Sequence, residues 1–206
     1  MRVDSVGLEK AIEYFKRAPD IATTAARIAI NDVASRGALS LARREISMQI
    51  NFDPSYLKGD RLGVVKKASN ADLSAVIRAR QRATSLARFA APGQPLGQNR
   101  AVGGVRVRVK KGQSSVMRSA WLVRLRSGKS LTDDNFNVGL AMRLKPGESI
   151  PGKKSVHKAW LIPNEVALLY GPSVDQVFRD VAGDIADPVA DMVSGEFYRN
   201  FIRLSK

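Results

Sequence analysis

Val105-Arg106-Val107-Arg108-Val109-Lys110 alternates an apolar residue with a cation at every step. Successive side chains of an extended strand point to opposite faces, so this stretch predicts a strand with valines on one side and positive charge on the other. Residues 121–126 close on the same alternation, with Val123 and Leu125 set against Arg124 and Arg126. Residues 138–144 continue it, with Arg143 near the end. Upstream, 62–67 and 73–79 are short apolar stretches joined by Ser69-Asn70-Ala71-Asp72, which reads as a hairpin connection. Together these runs predict one antiparallel sheet with a buried face and a basic face. Residues 91–104 hold Pro92, Gly93, Pro95, Gly97, Gly103 and Gly104 and read as a long exposed loop or arm. Residues 146–154 form a second loop bearing glycine and lysine.

Helices are expected on either side of the sheet. Val6, Leu8, Ile12 and Phe15 predict a short amphipathic piece that breaks near Pro19. From Asp20 onward Ile21, Ala25, Ile28, Ala29, Val33, Leu41 and Ile46 recur at helical spacing, and Pro19 suits the first turn of that helix. Its many small residues (Ala22, Ala25, Ala29, Ala34, Gly37, Ala38) let another backbone approach closely, within the core or from a neighbouring subunit. Asn51-Phe52-Asp53-Pro54-Ser55 is a turn signal that ends it. Near the other terminus Gly171-Pro172 is a stop, and Ser173-Val174-Asp175-Gln176 has the spacing of a capping box. Val174, Val177, Phe178, Val181 and Ile185 then supply an apolar stripe, and Pro188 opens or kinks a last helix. The expected architecture is a single α+β domain over 1–206. A helical 1–50 precedes a basic antiparallel sheet over 60–145, open or barrel-like, with C-terminal helices over 172–204.

The chain has 206 residues, 34 Lys and Arg against 19 Asp and Glu, and a net charge of +15. The excess is concentrated: residues 51–130 hold 17 basic and 3 acidic side chains. A region of that density attracts polyanions or an acidic protein surface, unless it serves only as a solvated face. No apolar run approaches the roughly 20 residues of a membrane helix, and the first ten residues lack the apolar centre of a signal peptide. The expected place of synthesis is therefore the cytosol, with no membrane partner. The absence of cysteine removes disulfides, thiol nucleophiles and zinc–thiolate sites, and the single His157 removes a multi-histidine metal site within one chain.

Apparent chemical motifs dissolve on inspection. Gly128-Lys129-Ser130 lacks the glycine that a phosphate-binding loop needs five residues before Gly128, where Val123 stands. Gly171-Pro172-Ser173 lacks the flanks of a nucleophile elbow, and its serine has a capping role. His157, between Lys154 and Lys158, has no carboxylate near enough to mark a dyad and reads as a surface histidine, while Asp133-Asp134 and the spaced aspartates near the C-terminus only superficially suggest metal carboxylates. Asp180, Asp184, Asp187 and Asp191 fall at helix-face spacing, which predicts a solvated acidic face. Such a face, opposite a basic sheet, also suits head-to-tail contact between identical subunits. No catalytic residue, metal site or cofactor is expected. Phe52, Tyr56, Phe89 and Trp121 are not interleaved with charge as stacking platforms would be, so phosphate attraction is expected without sequence reading.

Several stretches in order resemble a known group. They are Tyr56-Leu57-Lys58 with Arg61-Leu62, and Ala79-Arg80-Gln81-Arg82-Ala83-Thr84-Ser85-Leu86-Ala87-Arg88-Phe89. Next come Leu122-Val123-Arg124-Leu125 and Gly139-Leu140-Ala141-Met142-Arg143. Leu169-Tyr170-Gly171-Pro172-Ser173-Val174-Asp175-Gln176-Val177-Phe178 and Glu196-Phe197-Tyr198-Arg199-Asn200-Phe201-Ile202-Arg203-Leu204 complete the series. The chain, from about residue 40 onward, resembles the minor tail protein Z family, the tail-completion proteins of long-tailed bacteriophages. The resemblance implies a structural virion protein at the head-proximal end of the tail, assembled in the host cytoplasm. It implies a fold similar to phage neck and tail-terminator proteins and a homo-oligomeric six-fold ring. The implied partners are the tail terminator, the tail tube or the head–tail connector, with non-specific contact to packaged DNA. The family has no catalytic signature to carry over.

The expected working parts are therefore surfaces. One is the Arg78, Arg80, Arg82 and Arg88 cluster, and another is the strand edge Arg106, Arg108, Lys110 and Lys111, with Arg124 and Arg126 beside it. Loop 91–104 is expected to be mobile in the isolated subunit and ordered by a neighbour. The rival from another class is a cytosolic DNA-binding protein that turns the same basic sheet toward phosphates.

Overall fold

The computed structural model describes residues 5–97, 103–125, 137–144, 161–162 and 166–206. The helices are α1 (Ser5–Asp32), α2 (Leu39–Gln49), α3 (Val174–Ala182) and α4 (Ala186–Leu204), with a π-helical turn at Val33–Ala38 between the first two. The strands are β1 (Leu62–Lys66), β2 (Val76–Ala79), β3 (Thr84–Ser85), β4 (Val105–Val107), β5 (Ser115–Met117), β6 (Ala120–Leu125), β7 (Asn137–Arg143), β8 (Leu161–Ile162) and β9 (Val166–Gly171). All the strand pairings are antiparallel. The fold is α+β, as the sequence pattern requires. The strands do not form one sheet, however: β1 and β2 pair alone, β4 and β5 pair alone, and β6, β7, β9, β3 and β8 make a five-stranded sheet. The chain divides into two compact units. A helical unit comprises Met1–Glu45, Lys58–Arg80 and Phe178–Lys206, and a sheet unit comprises Ile46–Leu57 and Gln81–Val177.

In the helical unit, α1 packs against α4. Ala25 and Ala29 are completely buried there, and the sulfur of Met192 on α4 lies 2.8 Å from where a Cβ on Gly37 would stand. The close approach that the small residues permit is thus used within the chain. Pro19 sits inside α1 rather than at its start, which corrects the expected break. A proline inside a helix removes one backbone donor and costs about 3 kcal/mol in isolation, so tertiary packing sustains the helix through it. The Thr23 hydroxyl donates to the Pro19 carbonyl at 2.9 Å. The β1–β2 hairpin forms as read, and the Ser69 and Asp72 backbones bond reciprocally at 2.9 and 3.2 Å. Asn31 of α1 grips this hairpin like a strand partner. Its amide donates to the Ala68 carbonyl at 3.0 Å, and its carbonyl accepts from the Ala68 N–H at 2.8 Å.

The core of the sheet unit is built from larger side chains. Val105 and Leu140 are fully buried, with Leu122, Met142, Leu144 and Leu169 packed around them. Each such side chain contributes about 1.5–3 kcal/mol of apolar burial. Phe52, Tyr56 and Phe89 are buried as a ring cluster, with Phe52 centred 5.7 Å from Tyr56 and 5.4 Å from Phe89. The turn at 51–55 ends the helical run as expected, with the Ser55 N–H donating to the Asp53 carboxylate at 2.7 Å. The capping box also forms: the Gln176 N–H donates to Ser173 Oγ at 3.1 Å, and the Ser173 N–H donates to Gln176 Oε1 at 2.9 Å. The expected loop 91–104 is anchored along its described part, where Ala91 N–H bonds the Arg106 carbonyl and Gly97 N–H bonds the Leu122 carbonyl. Residues 98–102 and the loop at 146–154 lie outside the described residues.

Candidate functional site

The alternation of exposure across 105–110 is realised, but the strand it predicts is confined to Val105–Val107. Val105 and Val107 are buried, whereas Arg106, Arg108 and Lys110 are exposed. β5 lies beside β4 in the register Val105 to Met117, Arg106 to Val116 and Val107 to Ser115. Directly opposed residues of an antiparallel pair share a face, so Val116, 47% exposed, stands on the same side as Arg106. Lys110 and Lys111 lead into the connecting turn, where Gly112 takes a positive φ of 73°. Gly104 has φ +82°, and a Cβ there would lie 2.5 Å from the Arg118 Cα. Exposed Arg118 is thereby seated beside the start of β4.

The segment that follows β4 is fixed as well. Arg108 N–H donates to the Phe89 carbonyl at 2.8 Å, Asn51 N–H to the Val109 carbonyl at 2.8 Å, and Lys111 N–H to the Gln49 carbonyl at 2.9 Å. The Asn51 side-chain amide donates to the Arg108 and Lys110 carbonyls at 3.0 and 3.1 Å. The backbone carrying the cations is therefore held from both sides. Arg106, Arg108, Lys110 and Lys111 make no ion pair among the described residues.

The other expected residues are dispersed. Arg78 and Arg80 belong to the helical unit, and Arg82 and Arg88 to the sheet unit. Arg78 is exposed on β2, and Arg80 faces Asp60 at 3.7 Å. Arg82 is exposed, and the Arg88 guanidinium lies 4.6 Å from the centre of the Tyr56 ring, a cation–π contact. Arg124 is exposed on β6, while Arg126 lies outside the described residues, as do His157, Asp133 and Gly128-Lys129-Ser130. Asp180, Asp184, Asp187 and Asp191 are all exposed, but they do not share one helix: Asp180 ends on α3, Asp184 is in the turn, and Asp187 and Asp191 are on α4. Asp187, in the first turn of α4, is favourably placed against the helix dipole.

Two carboxylates have their proton affinity lowered. The Ser55 hydroxyl and N–H hold Asp53 below the ordinary value of 3.8, with Arg88 adding a smaller pull. The Lys66 ammonium, then the Ser74 hydroxyl, does the same for Asp72. Both belong to turns and face solvent. Among the described residues no three of His, Asp and Glu gather to hold a metal ion, and no helix is long and apolar enough to cross a membrane.

Arg118 and Val116 escaped the sequence reading because β5 did. Ser114-Ser115-Val116-Met117 has too little alternation to announce a strand.

The fold and surface define an α+β protein with a fixed cationic β-face in one unit and an exposed acidic segment in the other. The chain matches no protein-family model, no curated protein and no solved structure.

Proposed function

We propose that this chain is a non-enzymatic structural protein of a phage virion, completing the head-proximal end of the tail and assisting its joining to the head as a subunit of a six-fold ring. The observation that carries the reading is the ordered series of segments resembling tail-completion proteins, from Tyr56 to Leu204. Two surface features support it. A ring needs two different complementary patches on every subunit. Lys67 and Arg78 are exposed at the β1–β2 hairpin, and residues 180–191 expose four aspartates without an intervening cation. Its partners are further copies of itself and the tail terminator, tail tube or head–tail connector.

The test is complementation. A phage lacking this chain should accumulate filled heads and separate tails, and adding the purified protein to that lysate should restore joined particles. Normal particles formed without the chain overturn the reading. A cytosolic DNA-binding role would leave joining intact in the same experiment.

A further inference from the structure

We infer that the β4–β5 face, with Arg106, Arg108, Lys110, Lys111 and Arg118 around Val116, holds duplex DNA through its phosphate backbone without reading base sequence. The inference stands on the geometry of this face and does not depend on the tail-assembly role.

Four features point to this ligand. First, the exposed charges have one sign: Arg106 on β4, Arg108, Lys110 and Lys111 in the segment that follows it, and Arg118 after β5 are all exposed cations. Second, this backbone is held by β5 over Val105–Val107 and by hydrogen bonds to residues 49, 51 and 89 beyond it, so little backbone freedom is lost on binding. Third, the face exposes little apolar surface. A protein partner requires an apolar centre ringed by polar groups, whereas Val116 is the single large apolar side chain that β4 and β5 expose. Fourth, nothing on it stacks bases: the nearby rings of Phe52, Tyr56 and Phe89 are buried, so single strands gain no platform.

The same packing explains why sequence is not read. Val105, Val107 and Met117 hold the opposite face of the pair against the core. Only one face of the pair is open to a ligand, and the long cationic side chains around it suit phosphate oxygens, which carry no sequence information. Asn51, which bonds the carbonyls of Arg108 and Lys110, is a positioning residue for these cations.

The experiment is titration of the full-length protein into a fluorescent duplex of mixed sequence between about 50 and 200 mM salt. Five phosphate contacts predict a slope of log affinity against log salt of about −4.5, an affinity loss of about 500-fold across that range. A scrambled duplex should bind equally, and a single strand of the same length more weakly. The triple variant R106S/R108S/R118S should reduce the slope to about −1.8, whereas K66S/K67S/R78S in the helical unit should leave it unchanged. If the triple variant does not fold, R106S and R108S singly should each lower the slope by about 0.9. An unchanged slope in folded variants, tighter binding of the single strand, or no binding at the lowest salt overturns the inference. Those outcomes leave the tail role standing, and failed complementation leaves DNA binding standing.

Discussion

The two units of this protein manage charge in opposite ways. The helical unit has 18 basic and 13 acidic residues, and the sheet unit has 16 and 6. Arg17 with Glu13, Arg36 with Asp32, Arg44 with Glu45, Arg80 with Asp60, Lys66 with Asp72 and Arg199 with Glu196 are all partners within the helical unit. Mostly exposed pairs of this kind contribute about 0–1 kcal/mol each, so they neutralise surface more than they stabilise it. In the sheet unit Arg106, Arg108, Lys110 and Lys111 make no ion pair among the described residues, and their backbone is hydrogen-bonded to β5 and to residues 49, 51 and 89.

The cores differ in the same spirit. Alanines let helices meet closely in one unit, while leucines and valines fill space in the other. The sheet unit should therefore break on losing volume. Leu140→Ala, at a fully buried position, should cost about 2–5 kcal/mol, read as a fall in the denaturant midpoint. The helical unit should instead break on gaining volume: Ala29→Leu, also fully buried, should cost about 1–3 kcal/mol, whereas adding volume at exposed Ala190 should cost little. Ser173→Ala should remove the capping oxygen from α3 for about 1 kcal/mol, detectable as faster amide exchange in its first turn.

The smallest effect separates the units least. Asp53 and Asp72, one in each, have folded affinities for protons below the ordinary value of 3.8. A lowered folded pKa stabilises above the unfolded value, and that contribution disappears as pH falls through the folded one. Stability should therefore decline on the acid side of about pH 4 in both units, and Asp72→Asn and Asp53→Asn should each flatten that decline. An acid limb unchanged by both substitutions would assign it to other carboxylates.

The sequence yielded what periodicity encodes. A period of two across 105–110 predicted which residues face out, and Arg106, Arg108 and Lys110 do so. Hairpin and cap chemistry at 69–72 and 173–176 was equally legible, since local hydrogen bonds decide both. Partnership between strands was not legible. β9 reads Val166-Ala167-Leu168-Leu169-Tyr170-Gly171, a continuous apolar run that does not distinguish strand from buried helix. The division into three sheets depends on long-range pairing, and so does the recruitment of Arg118. The four aspartates misled for a local reason: their spacing is helical, but Gly183 and Asp184 turn the chain between α3 and α4.

The central claim, a structural place at the head–tail joint, is tested most directly by peptide mass spectrometry of purified phage particles with heads and tails separated. The account predicts this chain in the tail or neck fraction at a small multiple of six copies per particle. Its absence from particles, with the protein left behind in the lysate, would contradict the claim.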